Sequence, residues 1–201
     1  IRDFGMEKFS LEKSVESYLG VLNAFNIHGS KDTCELGISL LENALQFCTV
    51  RDYPVMGSFL HHTIAQTYMR MNDIGEALKN IEMSLKHNPQ MILAFFDRSS
   101  IYRNTNNLLA ALHDNDVLIR IDPETPFELS NIYCNRAVLE FKLNREKEMF
   151  ESLHKSVTID PSNSFAYIML SKQAILRNDF ESFEKLTTEI RLKDTTHITH
   201  Y

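Results

Sequence analysis

The chain has 201 residues, 43% hydrophobic and 24% charged, a balance that fits neither a disordered polymer nor a membrane protein. No apolar run approaches the roughly 20 residues that a membrane span needs. The net charge of −6 and pI near 5.8 argue against nucleic acid as a partner, since such binders more often carry a basic stripe and a high pI.

The chain opens on Ile1-Arg2-Asp3-Phe4, with no initiator Met and no signal-peptide layout, and is expected to be a segment of a longer protein or a trimmed form. Leu11, Val15, Tyr18, Leu22 and Phe25 recur at three or four residues and predict one amphipathic helix, which Gly29 stops. Ile38, Leu41, Leu45 and Cys48 predict a second, with Asp32-x-x-Glu35 as its cap. Residues 6–54 thus read as a degenerate N-terminal hairpin that covers the open end of a repeat array beginning near residue 58.

From residue 58 a period emerges. Pro89, Pro123 and Pro161 are preceded by Asn88, Asp122 and Asp160, and each Asx-Pro pair predicts a helix end, because Pro disfavours helical geometry in the residue before it. Asn72, Asn106, Asn144 and Asn178 keep the same register: steps of 34, 38 and 34 residues. Asn tolerates the left-handed conformation best after Gly, so these four positions predict the turn inside each helical hairpin. Asp73-Ile74-Gly75-Glu76 has the form of a capping box, and Thr125-Pro126-Phe127-Glu128 adds Pro at the first helical position. The four extra residues are expected in the loop after Pro123. The repeats are then 58–91, 92–129, 130–163 and 164–192, followed by a loose tail, 193–201. On the last helix Phe180, Phe183, Leu186 and Ile190 are expected to make one apolar face, with Glu181, Glu184, Lys185 and Thr188 on the polar side.

Within these periods the eighth position is small throughout (Ala65, Ser99, Ala137, Ser171), which lets paired helices approach closely. Tyr68 and Tyr102 hold the eleventh position, Ala77 and Ala111 the twentieth, and Phe95, Tyr133 and Tyr167 the fourth. Ala65-x-x-Tyr68, then Ala77-x-x-x-Ile81, then Pro89 resembles the tetratricopeptide-repeat pattern. Departures are His61 at the fourth position, Glu140 and Ala174 in place of Tyr, and Met149 and Phe183 in place of Ala. The resemblance implies an all-α fold, a right-handed α-solenoid of about five antiparallel helix hairpins in one domain.

No residue pattern for catalysis, a cofactor or a metal is expected. The glycines are scattered, and neither G-x-S-x-G nor H-E-x-x-H occurs. Adjacent His61 and His62 point in different directions on a helix and cannot share an ion; one is expected to be packed and one to face the groove. His197-x-x-His200 has helical ligand spacing but lies in the tail, which is expected to be loose. Cys34, Cys48 and Cys134 are odd in number and form no C-x-x-C, which predicts reduced thiols in the cytoplasm or nucleus. Cys48 and Cys134 read as small buried hydrophobes. The acidic pairs Glu146/Glu148 and Glu181/Glu184 read as solvated faces.

The resemblance implies a concave groove lined by the first helix of each pair. Its candidate partner-binding residues are His62, Gln66 and Arg70, then Phe96 and Arg103, then Asn135, Phe141 and Lys142, then Phe165, Ile168 and Lys172. Arg70, Arg103, Lys142 and Lys172 fall in this lining against one acid, Asp97, so a chain of negative net charge is expected to carry a positive strip there. Tyr133-x-Asn135-Arg136-Ala137 is similar to one repeat of the co-chaperones that clamp acidic chaperone tails. The other clamp positions are Phe96, Ser100, Phe165 and Met169, which argue against that subtype. An asparagine ladder fails as well, its column reading Thr63, Asp97, Asn135 and Met169. The expected function is a non-enzymatic protein–protein scaffold that binds an acidic, amphipathic peptide or helix. The alternatives are a regulatory or docking segment of a larger enzyme and a structural subunit of a complex.

Overall fold

The computed structural model describes residues 31–50, 54–121 and 125–188, and every element among them is a helix. In chain order these are α1 (Lys31–Val50), α2 (Pro54–Arg70), α3 (Ile74–His87), α4 (Ile92–Asn104), α5 (Leu108–Ile121), α6 (Pro126–Lys142), α7 (Glu146–Ile159) and α8 (Ser164–Leu176). A last helical stretch covers 180–188. The stripe from Leu11 to Phe25, Gly29, Pro123, Ile190, the tail and His197/His200 lie outside the described residues.

The turns form as the asparagines require. Asn72, Asn106, Asn144 and Asn178 have φ of 60°, 61°, 57° and 57°. The amide after each one donates to the carbonyl five residues back: Asp73 to Tyr68, Asn107 to Tyr102, Arg145 to Glu140 and Asp179 to Ala174, at 2.7–2.9 Å. Each Asn amide also reaches the carbonyl three residues back. That bond pair is the Schellman closure, which satisfies carbonyls a helix end would leave bare. Asn88 and Asp160, each followed by Pro, are extended (φ −137°, ψ 95° and φ −128°, ψ 95°) and end α3 and α7. At helix starts the Glu76 amide donates to Asp73 Oδ1, and the Glu128 amide to Thr125 Oγ1, with Pro126 at the first position.

Two expectations need correction. The four extra residues do not lengthen a loop. Helices α4, α6 and α8 all begin three residues after Pro89, Pro123 and Pro161, but α6 has 17 residues where α4 and α8 have 13. The insertion is one added turn at the start of α6, which Thr125 caps. Asp32 is not a cap either; it lies inside the first turn of α1, where Glu35 pairs with Lys31 at 3.7 Å.

The chain packs as two compact units, Ile1–Ala94 and Phe95–Tyr201, whose boundary falls in the first turn of α4. In the first unit the α1 stripe meets α2: Ile38, Leu41 and Cys48 cluster with Leu60 and Ile64, and Leu45, Phe59 and Tyr68 pack around them. Across the α2/α3 hairpin Ala65, Ala77 and Ile81 are fully buried. Each large aliphatic side chain so buried contributes about 1.5–3 kcal/mol.

In the second unit Ala111, Leu112 and Leu139 make one cluster. Cys134, Ala137, Met149, Leu153, Ala166 and Leu170 make another, joined by Leu186 of the last helical stretch. Phe183 is half-buried, but Phe180 is exposed at 63%, unlike the expected face. It opens the helix directly after the cap Asp179. One departure from the motif, Glu140, is accommodated by charge and hydrogen bonds. Buried Glu140 accepts from Arg136 Nε at 2.8 Å and from Ser152 Oγ at 2.7 Å, and Arg136 also pairs with Asp116. Arg98 grips buried Asp114 through two bonds of 2.7 and 2.9 Å.

Candidate functional site

The site is built by the way α8 is fastened to α6. Asn163 caps α8 by accepting from the Ala166 amide, and its Nδ2 donates to Ser130 Oγ at 2.8 Å and Asn131 Oδ1 at 3.1 Å. Ser130 in turn donates to the Ser156 carbonyl at the end of α7. Small residues face inward, Cys134 and Ala137 on α6 and Ala166 on α8, in one cluster with α7. The sides of α6 and α8 turned away from that cluster carry the candidate residues.

On α8, Phe165, Ile168, Lys172 and Ile175 follow one another at three or four residues and form one stripe. All are exposed, Phe165 at 49%, Ile168 at 56% and Ile175 at 48%, and Leu176 beside them at 63%. On α6, Phe141 and Lys142 are exposed and Asn135 is half-buried. Six of the predicted residues therefore share two adjoining helices. Phe96 and Arg103 sit on α4 in the same unit, both half-buried. In the first unit Gln66 is half-buried and Arg70 exposed at the end of α2.

The histidine expectation is corrected. Both His61 and His62 are buried, at 8% and 3%. Helix α2 is covered by α1 and by α3, so two adjacent sides of it are inside the unit. His61 stacks on His87 with centroids 5.6 Å apart, and its Nδ1 lies 3.0 Å from Asn80 Oδ1. Burial pushes its pKa down, the Asn80 bond opposes that, and the His87 charge adds to it.

Cys134, expected as a small buried hydrophobe, is buried with its Sγ 3.1 Å from Ser156 Oγ. Burial raises the thiol pKa of Cys134 and of Cys48, so neither is an activated nucleophile. All three thiols are free. Arg136, in the segment similar to the chaperone clamp, is engaged with Glu140 and Asp116. Among the described residues no three His, Cys, Asp or Glu side chains gather as a metal site, and no helix is long and apolar enough to cross a membrane.

Residues 130–163 match the family model described as a tetratricopeptide repeat. No curated protein matches the sequence. Among solved structures, PilF of Pseudomonas aeruginosa is similar at a TM-score of 0.72 and 11% identity, over 92% of this chain and 78% of that one. MamA from Desulfovibrio magneticus RS-1, from residue 41 to its end, gives 0.65 and 13%, over 90% and 95%. YrrB, described as a TPR protein with an unusual peptide-binding site, gives 0.53 and 17%, over 82% and 85%. At these identities the likeness is one of fold. The chain carries a tetratricopeptide repeat at 130–163, and its fold class is the all-α solenoid of tetratricopeptide-repeat proteins. Folds of this class present extended surfaces to other proteins.

Proposed function

We propose that the chain is a protein-interaction module that takes an acidic, amphipathic peptide or partner helix on the outward sides of its repeat helices. The observation that carries this reading is the exposed stripe of α8, where Phe165, Ile168 and Ile175 flank Lys172, beside Phe141 and Lys142 of α6. Large apolar side chains gathered on one face mark an interaction surface more often than scattered ones do. Lysines between apolar residues suit a ligand whose own apolar residues alternate with carboxylates. The peptide-binding site in the description of YrrB, on the same fold, supports a peptide ligand here. Phe96 and Arg103 on α4 extend the candidate surface within the second unit, and half-buried Gln66 and exposed Arg70 are the candidates of the first.

We read the segment as non-catalytic. Free Cys34, Cys48 and Cys134 support a reducing compartment, the cytoplasm.

The test is affinity purification of the protein with mass spectrometry, followed by binding kinetics of the recovered partner. A partner whose binding segment is acidic, and whose affinity falls on Lys172→Glu, supports the reading. A basic binding segment, or unchanged binding by both Lys172→Glu and Phe165→Ala, overturns it.

A further inference from the structure

Between α7, α8 and the helical residues 180–188 the second unit holds a cavity of about 320 Å³. Its cause lies in an exchange within the repeat. Tyr68 and Tyr102, at the eleventh position, pack on the cores of their units, and Ala77 and Ala111, at the twentieth, are fully buried. In the last repeat the sizes are reversed: Ala174 holds the eleventh position and Phe183 the twentieth. Phe183 does not line the cavity, so the space a ring at position 174 would take stays open. Tyr167, Leu170 and Ala174, all buried, form the floor, with Phe150 and Val157 of α7 and Leu186 as walls.

The mouth is charged. Arg177 lies over the Phe150 ring at 4.3 Å, and Glu146 at 2.6 Å matches its charge. Asp179 accepts from the Ser182 amide at 3.1 Å and caps the following helix, which holds its carboxylate ionised and turned to that helix end. Lys185 is exposed at the lip and has no carboxylate partner among the described residues. The volume is at the small end of ligand sites and suits a single ring or branched chain, not a nucleotide. An apolar floor beside the ammonium group of Lys185 selects an apolar group with an anion attached.

We propose that this cavity is a second binding site, for an aromatic or branched apolar group bearing a carboxylate. That chemistry is shared by a free arylalkyl acid and by the C-terminal Phe or Leu of a peptide. The site uses none of the α6 and α8 stripe residues, so it stands whether or not the proposed function does.

The experiment is an amide-resolved NMR titration of the full chain. One arm uses phenylacetate, the other an N-acetylated Gly-Gly-Phe tripeptide with a free carboxylate; phenylacetamide and the amidated tripeptide are controls. Saturable shifts are expected around Leu170, Ala174 and Leu186, weaker with the controls. Saturation by the tripeptide alone assigns the site to a peptide terminus, and by phenylacetate alone to a small acid. Lys185→Glu, on the exposed rim, should weaken binding about fivefold, the upper worth of an exposed ion pair. Ala174→Tyr restores the ring and should abolish binding while the thermal melt holds. Should that variant not fold, Lys185→Glu still decides. No saturable shift with either probe, wild-type affinity in Lys185→Glu, or binding by a folded Ala174→Tyr overturns the proposal.

Discussion

Ser130 Oγ donates to the carbonyl of Ser156 at 3.0 Å with the two hydroxyls 2.8 Å apart, and Ser58 stands to Ser84 in the same way at 2.9 and 3.0 Å. All four residues are fully buried. The pairs tie the start of α6 to the end of α7, and α2 to the end of α3. Ser130 Oγ also accepts from Asn163, whereas Asn163 has no counterpart at Met91, which ends the repeat of Ser58. Ser58→Ala should therefore cost about 1 kcal/mol. Ser130→Ala should cost about 1–3 kcal/mol, because it deprives the buried Asn163 amide group of a partner. Urea midpoints of the two variants check the order, and equal midpoints contradict it.

The left-handed turns give a second prediction. Asn144→Gly should leave stability within a few tenths of a kcal/mol, since Gly adopts positive φ freely. Asn144→Val should lose about 1–2 kcal/mol, the cost of placing a branched side chain in that conformation. Thermal melts of the two variants beside the wild type test this, and a Val variant as stable as the Gly variant would remove strain as the explanation.

Acid should weaken the first unit. The folded pKa of His61 lies below its ordinary 6.5, chiefly because burial disfavours the charged ring. The unfolded chain binds the proton more readily, so the contribution of His61 is present above pH 6.5 and is lost as pH falls towards its folded pKa. His61→Phe keeps an aromatic ring over His87 and removes the titrating group. Its melting temperature should fall less between neutral and mildly acid pH than that of the wild type.

Partner binding should divide by chemistry. Lys172→Glu should slow association, and the effect should shrink in high salt, because exposed charges act mainly through long-range attraction. Phe165→Ala should chiefly speed dissociation, and the difference should persist in salt. Both side chains are exposed, so neither variant should move the melt appreciably. Stopped-flow or surface kinetics with the purified partner at two salt concentrations separate the two effects.

The parts of the fold written in single residues are legible in the amino-acid sequence itself. A backbone at φ near 60° needs Gly or Asn, and a residue before Pro cannot stay helical, so Asn72, Asn106, Asn144 and Asn178 and the Asx-Pro pairs mark the turns directly. Burial is less legible because it depends on how many helices cover a given side. Position in the repeat assigns His62 to the groove, yet it is inside, since α2 has a neighbour on each of two sides. The extra turn of α6 is hidden for a related reason: spacing between markers measures chain length but does not say whether the added length is loop or helix. Glu140 and Ala174 are visible as departures from the motif. What each becomes, a buried carboxylate held by Arg136 of its own helix and Ser152 of the next or an open cavity, depends in part on side chains brought in from other helices.

The added turn of α6 sets a rule for insertions and deletions. At about 100° per residue, four residues rotate a helix by one revolution plus about 40°, so the sides of α6 that meet α7 and α8 keep their bearing. Two residues would rotate it by about 200° and turn the inward side outward. Length variation among such modules should therefore come in whole turns, and a graft or tandem duplication joined at the start of a first helix will keep its packing when the seam respects that step.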